Sequence, residues 1–218
     1  MTVRSLLAAL AFCAAATPAL ADPQFDGRID QLARAWAHAN YEVRESGAKA
    51  EAATRVAADA EGMARQFPTR AEPLVWEAIA LSTEAGAKGG LAGLGLAKSA
   101  RDILQKAERL NPAALGDGSV YTSLGSLYAQ VPGFPVGFGD PAKARGYLQK
   151  ALAANPNGID PNFFYADFLV RQGDYAGAVR ALERALAAPP RPGREVADRG
   201  RRGEAAALLA QARSKLKS

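Results

Sequence analysis

Small, large, small, proline: this order of side chains recurs along the chain at fixed offsets. Ala100, Leu104 and Ala107 stand 12, 8 and 5 residues ahead of Pro112, and the same offsets from Pro156 fall on Ala144, Leu148 and Ala151. From Pro190 they fall on Ala178, Leu182 and Ala185. On a helix, positions three and four apart share a face. Each triplet therefore predicts a helix whose alanines admit a close neighbour and whose leucine fills the groove between the two. The proline ends that helix, because it lacks an N–H and restricts the residue before it. Val56, Ala60 and Met63 keep the offsets from Pro68 only weakly, which predicts helices at 25–45 and 48–66 forming a degenerate first copy.

Ahead of each triplet lies a second helical pattern. Tyr121-x2-Leu124-Gly125-x2-Tyr128 is its clearest form, and Trp76-x2-Ile79-Ala80-x2-Thr83 a looser one. In the last copy Phe163, Tyr165, Ala166 and Leu169 occupy that helix, and Gly173-Asp174-Tyr175 makes a tight turn before Ala178. Asp140-Pro141 and Asp160-Pro161 each predict a helix start, with an N-cap acid before a proline at the first helical position. Pro156 and Pro190 are 34 residues apart, whereas Pro68 to Pro112 and Pro112 to Pro156 are 44 each. These helix pairs resemble the tetratricopeptide (TPR) repeat, whose first helix reads W-x2-L-G-x2-Y and whose period is about 34 residues. The resemblance implies an all-α, TPR-like helix-turn-helix solenoid in one domain over 22–218. About four repeats are expected, at 25–68, 73–112, 119–156 and 161–190, closed by a more polar capping helix at 195–217.

The extra residues of the two long periods sit mainly between the helices of a repeat. Gly86 to Leu96 is glycine-rich but lacks the preceding strand and the Gly-Lys-Ser/Thr ending of a phosphate cradle. It reads either as a flexible apolar loop or as a helix extension with close-packing small residues, able to face another subunit or its own partner helix. Val131 to Asp140 is the other insert. Leaving Phe134, Val136 and Phe138 in water costs about 1.5–3 kcal/mol each, so the rings are expected to be buried, either over their own repeat or against a ligand or partner. Phe163, Phe164 and Tyr165 are consecutive and cannot share one helix face; at least one should reach the concave surface or the insert.

The first 21 residues change the setting. Arg4, the apolar run Leu6–Ala16 and Ala19-Leu20-Ala21 predict a cleaved signal peptide and a periplasmic chain starting at Asp22. Leu10-Ala11-Phe12-Cys13 loosely resembles a lipobox, but Phe12 fits it poorly and lipid anchoring at Cys13 is not expected. Cleavage removes the only cysteine, and no later stretch is apolar enough for a transmembrane span.

Charge is uneven. Residues 22–190 carry 18 Lys/Arg against 19 Asp/Glu, and residues 191–218 carry 8 against 3. The basic character thus belongs to the C-terminal tail of Arg191, Arg194, Arg199, Arg201 and Arg202, read as paired with Glu195 and Asp198 or as a dock for an acidic partner or anionic lipid. Export argues against nucleic acid. No nucleophile, metal or cofactor motif is present, and His38 stands alone as a surface or packing residue, so neither catalytic residues nor cofactors are expected.

The signal peptide, the helix pairs, the 86–96 insert and the loop Val131-Pro-Gly-Phe-Pro-Val-Gly-Phe-Gly-Asp140 together resemble exported TPR proteins similar to the T component of TRAP (tripartite ATP-independent periplasmic) transporters. That resemblance implies a periplasmic scaffold that pairs with a solute-binding protein, can form a homo-oligomer, and can offer a hydrophobic cavity. The alternative is a carrier whose small hydrophobic ligand lies in a cavity closed by the 131–140 loop, and a cell-envelope enzyme is the least favoured reading. The candidate contacts are Phe134, Val136, Phe138, Phe163, Phe164, Tyr165, Arg191 and Arg194.

Overall fold

The computed structural model describes residues 22–217; the expected signal peptide and Cys13 lie outside the described residues. Among the described residues every regular element is a helix, and the fold is all-α. The elements are α1 (Pro23–Tyr41), α2 (Ser46–Gln66), α3 (Glu72–Lys88), α4 (Gly90–Leu110), α5 (Ser119–Gln130), α6 (Pro141–Ala154), α7 (Ile159–Arg171), α8 (Tyr175–Ala187) and α9 (Glu195–Lys215). None is long and apolar enough to cross a membrane.

The triplets ahead of the prolines lie at the centre of the core. All nine side chains, from Ala100, Leu104 and Ala107 to Ala178, Leu182 and Ala185, are 0% exposed. The first-helix pattern has its own reason. A Cβ on Gly125 would stand 2.6 Å from Leu148 Cγ and 3.1 Å from the Leu148 backbone nitrogen. The glycine therefore sets how closely α5 and α6 approach, and Leu148 takes the space it leaves. Around α1–α3 a second apolar cluster gathers Phe25, Trp36, Val56, Met63 and Trp76, so the degenerate first copy is packed like the rest.

The two Asp-Pro dipeptides diverge. Asp140 caps α6, accepting from the Ala142 and Lys143 amides at 2.9 and 3.1 Å. At the other site the expected N-cap is displaced: Gly158 holds that position and Asp160 is already inside α7. The reason is electrostatic. Two arginines from the tail claim the Asp160 carboxylate, which cannot also turn back to cap the helix.

The inserts differ in kind as well. Residues 86–96 are helical extensions of α3 and α4, broken only at Gly89, where φ is +61°. Beyond that break a Cβ on Gly93 would lie 2.5 Å from the Ala85 carbonyl oxygen, so the two extensions pack closer than any side chain allows. Residues 131–140 form a tight loop fastened by its own backbone. Gly139 N–H donates to Pro132 C=O at 2.9 Å, and Asp140 N–H to Tyr128 C=O at 3.0 Å. A side chain at Gly139 would collide with the Val131 carbonyl.

The last helix, α9, packs on α7 and α8 and also reaches α1. A Cβ on Gly200 would run into the Tyr41 ring. Tyr41 Oη donates to Glu204 at 3.3 Å, and Arg199 lies 3.8 Å from Glu42. The capping helix thus touches both the last repeat and the first.

Candidate functional site

The helices that open each repeat, α1, α3, α5 and α7, face a common cavity of about 430 Å3. Trp36 and Asn40 come from α1, Trp76, Ile79 and Thr83 from α3, and Phe164 from α7. One face of α5 lines it with Ser119, Ser123, Ser126 and Gln130, spaced four, three and four residues apart, while Leu124 on the opposite side is buried in the core. The same helical period that buries the leucine therefore turns the hydroxyls inward. Arg44 and Lys49 border the cavity from the α1–α2 side, and Arg194, Arg201 and Glu204 from the cap.

Trp36 and Trp76 meet with ring centroids 5.9 Å apart. Trp36 Nε1 donates to Thr83 Oγ1 at 2.9 Å. Trp76 is 2% exposed, yet its indole N–H has no acceptor.

Asp160 organises the charge on the cap side. Its two oxygens take Arg191 Nη1 and Arg201 Nε, each at 2.8 Å. Burial alone would raise its pKa, but Arg201 and then Arg191 outweigh it and hold the carboxyl at about 2. Arg201 is itself buried, bonds Glu204 at 2.6 Å and lies 4.5 Å from the centroids of both Phe163 and Phe164. Arg191 continues to Asp198, which takes its Nε at 2.7 Å and its backbone N–H at 2.8 Å. Arg202 caps the end of α8 by donating to the Leu186 and Ala188 carbonyls, both at 2.6 Å, a role suited to a cation at a helix C-terminus.

Arg194 is the exception. Its guanidinium lies over Trp76, 5.1 Å from the ring centroid, and its Nε–H has no acceptor. Burial, and then the charge of Arg191, push its pKa below the usual arginine value.

The expected site residues separate accordingly. Phe164 and Arg194 line the cavity, whereas Arg191 is held in the ion-pair cluster behind it. Phe163 packs against the core, and Tyr165 lies near Phe168 at 6.5 Å between centroids. Glu195 caps the Gly193 N–H at 2.9 Å and leaves the tail arginines to other acids. Tyr121 and Tyr128 both stack on Tyr147, away from the cavity. His38 is exposed and sits 2.9 Å from Glu42.

The 131–140 loop requires a correction. It contributes no residue to the cavity, so the cavity is not one closed by this loop. Two of its three apolar side chains are not folded over their own repeat: Phe134 is 94% exposed and Val136 61%, which leaves burial against a ligand or partner as the expectation that stands for them. Only Phe138 is covered, edge-on to Tyr128 at 5.6 Å with Arg101 4.4 Å from its ring centroid. A loop pulled tight by its own backbone hydrogen bonds has one inward-facing ring and leaves its tip outside. Phe134→Ser is therefore expected to change stability by less than about 0.5 kcal/mol. Phe138→Ala should cost more than about 1 kcal/mol, with chemical denaturation of both variants as the check.

Comparison with known proteins agrees with this geometry. Residues 136–198 match the model of the tetratricopeptide repeat family. That match and the nine stacked helices among the described residues give the architecture. It is a TPR-like helical repeat. A solved structure described as a thermophilic TPR protein from Thermus thermophilus, TTC0263, is similar at a TM-score of 0.54 and 16% identity, covering 84% of this chain and 99% of that one. The MamA protein is similar at a TM-score of 0.41 and 18% identity, over 88% of this chain and 93% of that one. No curated protein matches the chain.

The sequence reading missed Trp36, Ser123, Ser126 and Asp160. A signal was present for the serines, because Ser119, Ser123, Ser126 and Gln130 recur at helical spacing opposite a buried stripe. Nothing local distinguishes Asp160 from Asp140; only the arginines 31 and 41 residues later do so.

Proposed function

We propose that the protein is a periplasmic scaffold which binds a protein partner on the face formed by α1, α3, α5 and α7. The observation that carries this is the shared cavity. The opening helices of all four repeats turn hydroxyl, amide and aromatic side chains toward one space, whereas the second helices spend their alanines and leucines on the core. TPR arrays recognise extended surfaces through such repeated faces. The pattern at residues 1–21 supports export, and the two inserts support a role beside TRAP-type uptake, with a periplasmic solute-binding protein as the partner.

The test is site-specific photo-cross-linking in the intact periplasm. A cross-linker in place of Gln130, on the cavity face, is expected to capture a solute-binding protein. One in place of Arg180, exposed on α8, is expected to capture none. Equal labelling from both positions, or a product confined to the cytoplasm, would overturn the reading.

A further inference from the structure

Five large apolar side chains stand exposed among the described residues, and three of them share one edge of the molecule. Phe134 and Val136 form the tip of the 131–140 loop, at 94% and 61% exposure, and Leu91 opens α4 at 86%. A Cβ on Gly137 would lie 3.2 Å from Leu94 Cδ1, so the loop rests on the first turns of α4. Leu91 and Leu94 are three residues apart and share a helix face, which places Leu91 beside the loop. The tip is also fixed. Val136 and Gly137 N–H both donate to Gly133 C=O at 3.1 Å, and a tip ordered in advance loses little freedom on docking.

Cations border this edge. Arg101 lies over the Phe138 ring, and Lys143 over Tyr128, which Phe138 meets edge-on. Lys98, one turn beyond Leu94 on the same face of α4, is exposed and has no carboxylate within 4.0 Å among the described residues. The turn between α1 and α2 reaches the same edge, since Ser46 Oγ donates to Ala87 C=O at 3.1 Å. It adds Arg44, exposed and likewise without a carboxylate. The acids nearby are engaged: Glu84 is buried and holds Lys88 at 2.6 Å, Asp102 holds Arg101 at 2.6 Å, and Asp140 and Glu45 cap helices.

We propose that this edge rests on an anionic phospholipid bilayer, with Phe134, Val136 and Leu91 entering the boundary between headgroups and acyl chains and Lys98 and Arg44 facing lipid phosphates. Apolar groups beside unpaired cations are the combination that an anionic bilayer holds at its surface. A protruding ring needs a matching pocket in a protein but none in a fluid interface. A stable protein pair buries about 800 Å2 on each side, more than three side chains supply. Neither the loop tip, Leu91 nor Lys98 lines the cavity between the opening helices, so this docking and the protein partner proposed above are independent.

The test is flotation of the purified protein with vesicles of phosphatidylcholine, either alone or in equal parts with phosphatidylglycerol. Binding to the anionic vesicles is expected to exceed that to the neutral ones by roughly tenfold or more, and to weaken as salt is added. Phe134→Ser, which should barely change stability, is expected to lower the partition coefficient by roughly tenfold, and Lys98→Glu by roughly fivefold. Leu216→Ser, at an exposed leucine ending α9, should leave binding unchanged. Residues 1–21 are identical in every variant and cannot create a difference between them. In Phe134→Trp the added indole should be quenched by brominated acyl chains, whereas Trp36 and Trp76 are buried. Equal binding by Phe134→Ser and the parent protein, no preference for anionic vesicles, or no quenching in Phe134→Trp would each overturn the proposal. Self-association in sedimentation velocity that Phe134→Ser abolishes, without vesicle binding, would overturn it too and assign the patch to a second copy.

Discussion

Asp160→Asn is expected to cost the fold about 2–4 kcal/mol: the Asp160 side chain is 25% exposed and its partner Arg201 8%, so the loss falls between that of a surface pair and the loss of about 3–5 kcal/mol for a fully buried one. The change is nearly isosteric, so packing is preserved; the charge is lost, and one of the two oxygens that accept from Arg191 and Arg201 becomes an amide donor facing an arginine N–H. Arg201, with a side chain 8% exposed, would then keep Glu204 alone, and Arg191 would keep Asp198 alone. Burial disfavours the carboxylate, yet Arg201 and Arg191 bring its pKa from 3.8 down to about 2. A carboxyl with a lowered folded-state pKa binds fewer protons in the folded than in the unfolded state. Its stabilisation is complete above about pH 4 and is lost as pH falls toward 2. Acid unfolding followed by circular dichroism should show Asp160→Asn to be less stable at pH 7, with a flatter dependence between pH 4 and 2. A loss below about 1 kcal/mol at pH 7 would mean that solvent screens the cluster as it does a surface pair.

The second large effect is expected at the α5–α6 contact. Leu148→Ala should cost about 2–5 kcal/mol, as for a fully buried leucine, and Gly125→Ala about 1–3 kcal/mol through overpacking. The two are not independent, because the Leu148 side chain occupies the space a Cβ at 125 would take. Truncating the leucine relieves much of that collision. Urea denaturation of the single and double variants should therefore give a double loss smaller than the sum by about 0.5–3 kcal/mol. Strict additivity would show that the collision is with the Leu148 backbone, 3.1 Å away, rather than with its side chain.

These two contacts also mark what the sequence made legible. Gly125 and Leu148 belong to local patterns with fixed offsets, so their helices, their burial and the all-α class could be read directly from the spacing. The cap at Asp140 is local too and needs only the next two amides. Asp160 carries the same dipeptide, but its partners lie far along the chain, and long-range charge pairing overrides the local cap. The cavity was legible only in part. Arg194 and Phe164 were singled out by charge and crowding, while Trp36 and the α5 serines acquire a role only when four helices converge. Hydrophobicity alone could not say that Phe134 and Val136 stay off their own repeat; that follows from the geometry of a loop that binds its own backbone.

Repeat arrays are ordinarily open-ended, and a unit can be added to or removed from them with only local consequences. The meeting of Gly200 with Tyr41, and of Glu204 with the Tyr41 hydroxyl, withdraws that freedom here. A chain whose last helix rests on its first has a fixed circumference. Inserting or deleting one repeat would part the ends, and the space between the opening helices would change with them. The number of units is in this sense a dimension of the binding site.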